Sequence, residues 1–322
     1  MTSIALSEPE YRAVTEACGL IDRSERGKLA LTGTEAKSFL QGQVSNDVES
    51  LTPGTGCYAA FLTPKGKMLG DLRILDSGEE LLLDTERVSL QELFNMVRRF
   101  SIGYDVQLHK RTIERGLLSL IGPGSASLAG ADELDGAPEH THLAASLDGI
   151  ELRAIRTEVG VDLLFDSSQT DALRAALEAA GAVIVSEQTA ECLRVEHGRP
   201  RYGLDLDDGV IPQEAGLNER AVSFTKGCYV GQETVARLYY RGKPNRHLRG
   251  LKLSTEAAGE ATAVGDEVRL GERVVGRIGS VADSPRFGRI ALALVRREAE
   301  PGASVTVGPD GAVAELVSLP FH

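Results

Sequence analysis

Between residues 113 and 197 the chain alternates short apolar runs with helical segments, and that order restricts the available folds more than any other feature. Residues 117–121 read as a strand that runs into Gly122-Pro123-Gly124 and a short Ser/Ala helix. Two more strands follow at 150–155 and 161–165, then a helix at 170–180 and a strand at 182–185. Strand–helix–strand–strand–helix–strand is the order of a ferredoxin-like module. A glycine turn between strand and helix can cradle phosphate, but no complete phosphate-loop or dinucleotide fingerprint is present, so a plain turn is expected. Residues 131–142 are polar, carry Gly and Pro, and read as a loop. His140 and His142 lack a third ligand there and are expected to be solvated. A helix at 187–197 closes the segment.

Upstream, residues 7–19 read as a helix capped by Ser7, with Pro9 and Glu10 in its first turn and Gly19 at its end. A strand at 28–31 and a helix at 35–41 follow. Residues 57–63 and 68–75 read as a hairpin around Pro64-Lys65-Gly66-Lys67, with another strand at 81–84. Leu90, Leu93, Phe94 and Val97 then fall at helical spacing. Asp71 lies within the second hairpin strand, out of place for a carboxylate if both faces are covered; an edge or solvent-facing position is the alternative. From 248 to 321 short strands alternate with glycine turns, such as Val264-Gly265-Asp266 and Gly308-Pro309-Asp310-Gly311, which fits a small barrel. The expected class is α+β: two sheet-and-helix units, the second ferredoxin-like, plus a C-terminal β-barrel. The expected domains are 1–112 with 198–244, then 113–197, then 245–322, with a pocket where the units meet.

A net charge of −12 argues against general affinity for nucleic acid or anionic membrane. One stretch runs the other way. From 234 to 255 there is no Asp or Glu, while Arg237, Arg241, Lys243, Arg246, Arg249 and Lys252 accumulate. That is a candidate anion site, or else a solvated interdomain linker. The four cysteines (Cys18, Cys57, Cys192, Cys228) are dispersed without a C-x-x-C pair, so neither a local metal motif nor a disulfide scaffold is expected. The N-terminus shows no basic-then-apolar leader or organellar presequence, and no apolar run reaches membrane-spanning length. The cytoplasm is the expected compartment.

The stretch most suggestive of chemistry is Lys226-Gly227-Cys228-Tyr229-Val230-Gly231-Gln232-Glu233. Two glycines permit a tight turn that displays the thiol, and a nearby lysine favours thiolate. A buried, inert cysteine at a strand–turn–helix junction is the alternative. With Phe224-Thr225 before it and Thr234-Val235-Ala236-Arg237 after it, the octapeptide resembles the signature of the YgfZ family. Further resemblance lies in Phe39-Leu40-Gln41-Gly42-Gln43, Pro64-Lys65-Gly66-Lys67-Met68, Pro212-Gln213-Glu214-Ala215 and the Leu319-Pro320-Phe321 ending, and so spans nearly the whole chain.

The resemblance implies the fold of the glycine-cleavage T-protein, tetrahydrofolate as cofactor, and a part in the maturation or repair of 4Fe–4S enzymes, among them a tRNA methylthiolase. It implies that Cys228 is the functional thiol, with Lys226 as its tuner or a folate contact. It implies folate contacts from Tyr229, Gln232 and Arg237 as well, and Arg237 with Gln232-Glu233 would fix the turn. In Leu193-Arg194-Val195-Glu196, Glu196 matches a glutamate that binds the pterin amine and ring N–H groups in T-proteins; a solvated helix-end residue is the alternative. Asp71 matches an aspartate that serves one-carbon chemistry there, so a folate-dependent aminomethyl or one-carbon transferase is the competing function. Implied partners are folate and iron–sulfur enzymes or their assembly proteins, with no membrane. The basic segment 237–252 would take a polyglutamate tail, a partner protein or, less in keeping with an indirect role, tRNA.

Overall fold

The structure, a computed structural model, describes residues 7–254 and 261–322. The first six residues, part of the N-terminal reading, and Thr255 of the basic stretch lie outside them. The chain divides into two compact units, one of residues 9–186 with 219–232, the other chiefly of 187–218 with 233–322.

In the larger unit the strands are β1 (Gly19–Asp22), β2 (Gly27–Thr32), β3 (Thr55–Leu62), β4 (Met68–Asp76), β5 (Leu81–Thr85), β6 (Gln107–Lys110), β7 (Arg115–Ile121), β8 (His142–Leu147), β9 (Ile150–Arg156), β10 (Gly160–Asp166) and β11 (Val183–Ile184). They form two sheets, ordered β3-β4-β5-β2-β6 and β11-β1-β7-β10-β9-β8. The expected hairpin is β3–β4, closed by the Pro64-Lys65-Gly66-Lys67 turn. In β4 side chains alternate between faces. Leu72 and Ile74 enter a core with Phe39, Phe61 and, from the helix Leu90–Phe100, Leu93 and Val97. Leu75, on the opposite face, packs with Ala30, Leu82 and Ile155, where the two sheets meet. The second sheet buries its other face with Leu118, Leu120, Val161, Leu163 and Phe165 against Leu173 and Leu177 of the helix Thr170–Ala179.

Three features differ from the sequence reading. Gly19 does not end the first helix, which covers Glu8–Glu16; it opens β1, inserted between β7 and β11. Four residues are too few to show a strand period, and glycine is required because a Cβ there would lie 2.6 Å from Val14 Cγ1. Residues 131–142 do not end as loop, since His142 begins the edge strand β8. The histidines are not solvated either: His140 is 7 % and His142 2 % exposed. His142 accepts from Arg153 and meets the Thr55 carbonyl. Burial pulls both imidazoles down to about 4, which keeps them neutral.

In the smaller unit β12 (Arg246–Leu253), β13 (Glu267–Leu270), β14 (Arg273–Ser284), β15 (Gly288–Arg296), β16 (Ser304–Val307) and β17 (Ala312–Val317) close a barrel in the order β12-β15-β14-β13-β16-β17. Its interior is filled by Leu251, Val268, Ile278, Val305 and Leu316 with the smaller Ala291, Ala293 and Ala314, side chains short enough for a narrow barrel. On the outside Val195, from the helix Glu187–Glu196, joins Leu248, Ile290, Leu292 and Phe321. The Leu319-Pro320-Phe321 ending seats against Gly198, whose φ is 67° and where a Cβ would lie 2.7 Å from Leu319 Cβ, leaving no room for a side chain. Among the described residues no helix is long and apolar enough to cross a membrane.

Candidate functional site

The Cys228 turn is built by three segments of the larger unit. Lys226 Nζ donates to the carbonyls of Gln41, Val44 and Asn46 at 2.7, 2.8 and 2.6 Å. An ammonium has three N–H donors, and all three of Lys226 go to backbone carbonyls, so Lys226 acts as a strut for the turn. Burial pulls its ammonium down to about 8, opposed by Asp47, so it stays protonated at neutral pH as its acceptors require. Val230 N–H donates to Gly42 O and Ser223 N–H to Ser45 O, while Ser45 Oγ donates to Ala221 O. Gly231, at φ 86°, presses on the hairpin turn: a Cβ there would lie 2.6 Å from Thr63 O. The motifs around Gln41, Lys65 and Cys228, separate in sequence, thus form one structure.

Within it Cys228 is exposed, whereas Cys18 and Cys192 are buried and Cys57 half-buried. Tyr229 is buried, with Lys226 Nζ 5.2 Å from its ring centre, and burial pushes its phenol up to about 12. Gln232 is half-buried and its N–H donates to Tyr229 O, ending the turn as the helix Gln232–Arg241 begins.

Asp71 occupies neither an edge nor a solvent-facing position. It is 6 % exposed, and β4 is flanked by β3 and β5. Tyr58 Oη donates to its Oδ2 at 2.6 Å. Burial pushes the Asp71 carboxyl up to about 6, against the Tyr58 hydrogen bond and Arg26, with Glu86 adding to the rise. The Arg220 guanidinium lies 5.2 Å from the Tyr58 ring and grips both Glu139 oxygens at 2.7 and 2.9 Å. Two positions along the same face of β4, Arg73 bridges Asp84 and Asp162, each at 2.6 Å. A carboxyl with a pKa near 6, bonded to a phenol, can take or release a proton close to neutral pH.

Glu196 and Arg237 belong to the smaller unit. Glu196 ends its helix at 5 % exposure, with Oε1 accepting from Ser284 Oγ at 2.5 Å and from Cys192 Sγ at 3.6 Å. It is not the solvated helix-end residue that was the alternative. Phe321 N–H donates to the Glu196 carbonyl. Arg237 is exposed on the helix Gln232–Arg241. The basic stretch divides: Arg246 pairs with Glu214 at 2.8 Å and Lys252 donates to the His322 carbonyl, while Arg241 and Lys243 are exposed. Gln213 Nε2 donates to Val235 O, so Gln213 and Glu214 hold the first turn of the helix Gln232–Arg241 and the start of β12.

Residues 3–226 match the GCVT N-terminal domain, and residues 246–322 match the glycine cleavage T-protein C-terminal barrel domain. The chain belongs to the glycine cleavage T-protein family. It is 30 % identical to an aminomethyltransferase of Rubrobacter xylanophilus over 97 % of this chain and 85 % of that protein. It is also 30 % identical to the tRNA-modifying protein YgfZ of Colwellia psychrerythraea, over 79 % of this chain and 77 % of the relative. The crystal structure of the glycine cleavage system aminomethyltransferase T from Bartonella henselae superposes with a TM-score of 0.84 at 22 % identity, covering 98 % of this chain and 89 % of that one. Its fold is therefore this T-protein family member's fold, barrel included.

Sequence reasoning missed Tyr58, Arg220, Glu139 and Ser284. Tyr58 was within reach, because the hairpin register pairs it with Arg73, one step from Ala60 opposite Asp71. Arg220 with Glu139 and Ser284 with Glu196 are 81 and 88 residues apart, and no local pattern announces such pairs.

Proposed function

We propose that this T-protein family chain binds tetrahydrofolate and serves the assembly or repair of 4Fe–4S enzymes through Cys228. The observation that carries this reading is the exposed thiol on a turn held by Lys226 and Gly231, a construction with no evident use in packing. Folate enters the reading through Glu196. A buried carboxylate with one oxygen already fixed suits the paired N–H donors of a pterin, whose two parallel hydrogen bonds need an acceptor of set orientation. Arg237, exposed and cationic, suits the acidic end of the same molecule. When bound, tetrahydrofolate supplies a carrier of one-carbon groups. The protein's own contribution is to orient it and to keep the thiol in solvent. The relative named tRNA-modifying protein YgfZ supports this reading, in which the partners are iron–sulfur enzymes or their assembly proteins.

A second reading, a folate-dependent aminomethyl or one-carbon transferase, is favoured by Asp71. A buried carboxyl with a pKa of about 6 and a phenol donor is suited to handling a proton on a folate nitrogen. The relatives named aminomethyltransferase favour it too.

Calorimetric titration with tetrahydrofolate tests the shared premise. Binding is expected in the unsubstituted protein and in Cys228→Ala, and is expected to be lost in Glu196→Ala. To separate the two functions, both variants are assayed for 4Fe–4S enzyme activity in cells and for aminomethyl transfer in vitro. Loss of the cellular function in Cys228→Ala, with folate binding kept and no transfer detected, supports the accessory role. Transfer that survives Cys228→Ala and fails in Asp71→Asn supports the transferase.

A further inference from the structure

We infer that Ser284, assisted by Cys192, is a positioning residue that sets the orientation of the Glu196 carboxylate and through it the affinity for tetrahydrofolate; this rests on the folate reading of Glu196. The β14–β15 hairpin of the barrel reaches Glu196. Ser284 ends β14 and pairs with Gly288 at the start of β15. Its Oγ accepts from the backbone N–H groups of Arg286 and Phe287, at 3.1 and 2.9 Å. A hydroxyl has two acceptor lone pairs and one proton. With both lone pairs occupied, the proton has one direction left, toward Glu196 Oε1. The turn therefore makes Ser284 a donor rather than leaving it free to rotate.

The second donor comes from the helix itself. Cys192 lies one turn before Glu196, and its S–H is shared between Glu196 Oε1 at 3.6 Å and the Asp283 carbonyl at 3.8 Å. Burial, and then the neighbouring Glu196, push the Cys192 thiol up, so it keeps the proton it donates. The last torsion of a glutamate is broad and roughly two-fold, so a carboxylate without such partners samples a range of planes. Two donors converging on one oxygen remove that freedom before any ligand arrives. Orientation fixed in advance raises affinity, because less freedom is lost on binding. Alanine at 284 would remove this donor to Oε1 together with the acceptor of the Arg286 and Phe287 N–H groups.

The experiment is calorimetry with tetrahydrofolate on the full-length protein, comparing Ser284→Ala, Ser284→Thr, Cys192→Ala, Glu196→Gln and the double variant Glu196→Gln/Ser284→Ala, with thermal unfolding of each in parallel. Ser284→Ala is expected to bind about tenfold more weakly, the scale of one hydrogen bond to a charged group, with unfolding lowered only modestly by the two backbone N–H groups that lose their acceptor. Ser284→Thr, which keeps the hydroxyl, is expected to restore most of the affinity. The double variant is expected to bind no worse than Glu196→Gln alone, since Ser284 has nothing left to orient. Should Ser284→Ala unfold early, Cys192→Ala reads the same oxygen and is expected to lose a few-fold. Normal affinity in both Ser284→Ala and Cys192→Ala, beside an impaired Glu196→Gln, overturns this inference alone. No binding by the unsubstituted protein overturns it together with the folate reading.

Discussion

At the scale of single residues, the buried carboxyl of Asp71 and the exposed thiol of Cys228 have opposite environments, and each gives a measurable consequence. Asp71 has its pKa raised by burial to about 6 from an ordinary 3.8. Between those values the native state holds a proton that the unfolded chain has released, so stability falls as pH rises through this window and is level above it. The full span is worth up to about 3 kcal/mol. Asp71→Asn still accepts from Tyr58 and carries no charge. It is expected to gain about 2 kcal/mol at pH 8 and almost nothing at pH 4, read from urea unfolding at the two pH values; equal gains at both would refute the assignment. For the thiols, burial pushes Cys18 up to about 11 and Cys57 up to about 12, and Cys192 is raised as well. Iodoacetamide on the native protein at neutral pH is therefore expected to label Cys228 many times faster than the other three, as peptide mass spectrometry would report. Comparable labelling of Cys57 would mean that the turn does not present its thiol as described.

The element that integrates the site is the turn 224–231, and it was only partly legible. Gly227 and Gly231 announced a tight turn, and Gly231 does adopt positive φ against Thr63. What holds the turn was not legible, because Lys226 bonds to backbone carbonyls, which every residue has and no sequence pattern marks. Asp71 was legible as an anomaly in a strand, while its partner Tyr58 required the hairpin register. The burial of Glu196 was not legible, because its partner Ser284 lies on a hairpin whose contact with the helix is set by the barrel. If Lys226 is the strut, Lys226→Met removes all three donors and leaves three carbonyls short of partners. The expected cost is about 2–3 kcal/mol, with faster hydrogen exchange confined to residues 41–46 and 219–231. Unchanged exchange in those peptides would show that the backbone bonds of Val230 and Ser223 suffice.

On the scale of the whole molecule, the titrating groups that matter for stability are unevenly distributed. His140 and His142, both in the larger unit, are held neutral by burial with pKa values of about 4 against an ordinary 6.5. The unfolded chain takes up protons there that the native one refuses, so stability present above pH 6.5 is lost as pH falls toward 4. Each histidine accounts for about 3 kcal/mol over that range, and His142 must also give up the hydrogen bond it accepts from Arg153. Asp71 acts in the opposite sense between pH 6 and 4 and offsets about one histidine. Asp84, held far below the usual carboxylate range by Arg26 and Arg73 against the effect of burial, stays ionised throughout and loses its contribution only at still lower pH. The net expectation is that acidification from pH 7 to 4.5 weakens the larger unit by a few kcal/mol while the barrel changes little. Since the chain has no tryptophan, hydrogen exchange by mass spectrometry is the suitable measurement, with barrel peptides from β12–β17 as the internal reference. His140→Asn, chosen because Asn tolerates the positive φ of 72° at that position, combined with His142→Asn should flatten the acid dependence of the larger unit. Barrel peptides that lose protection in step with those of the two sheets, in parent and variant alike, would place the acid sensitivity elsewhere than in these two imidazoles.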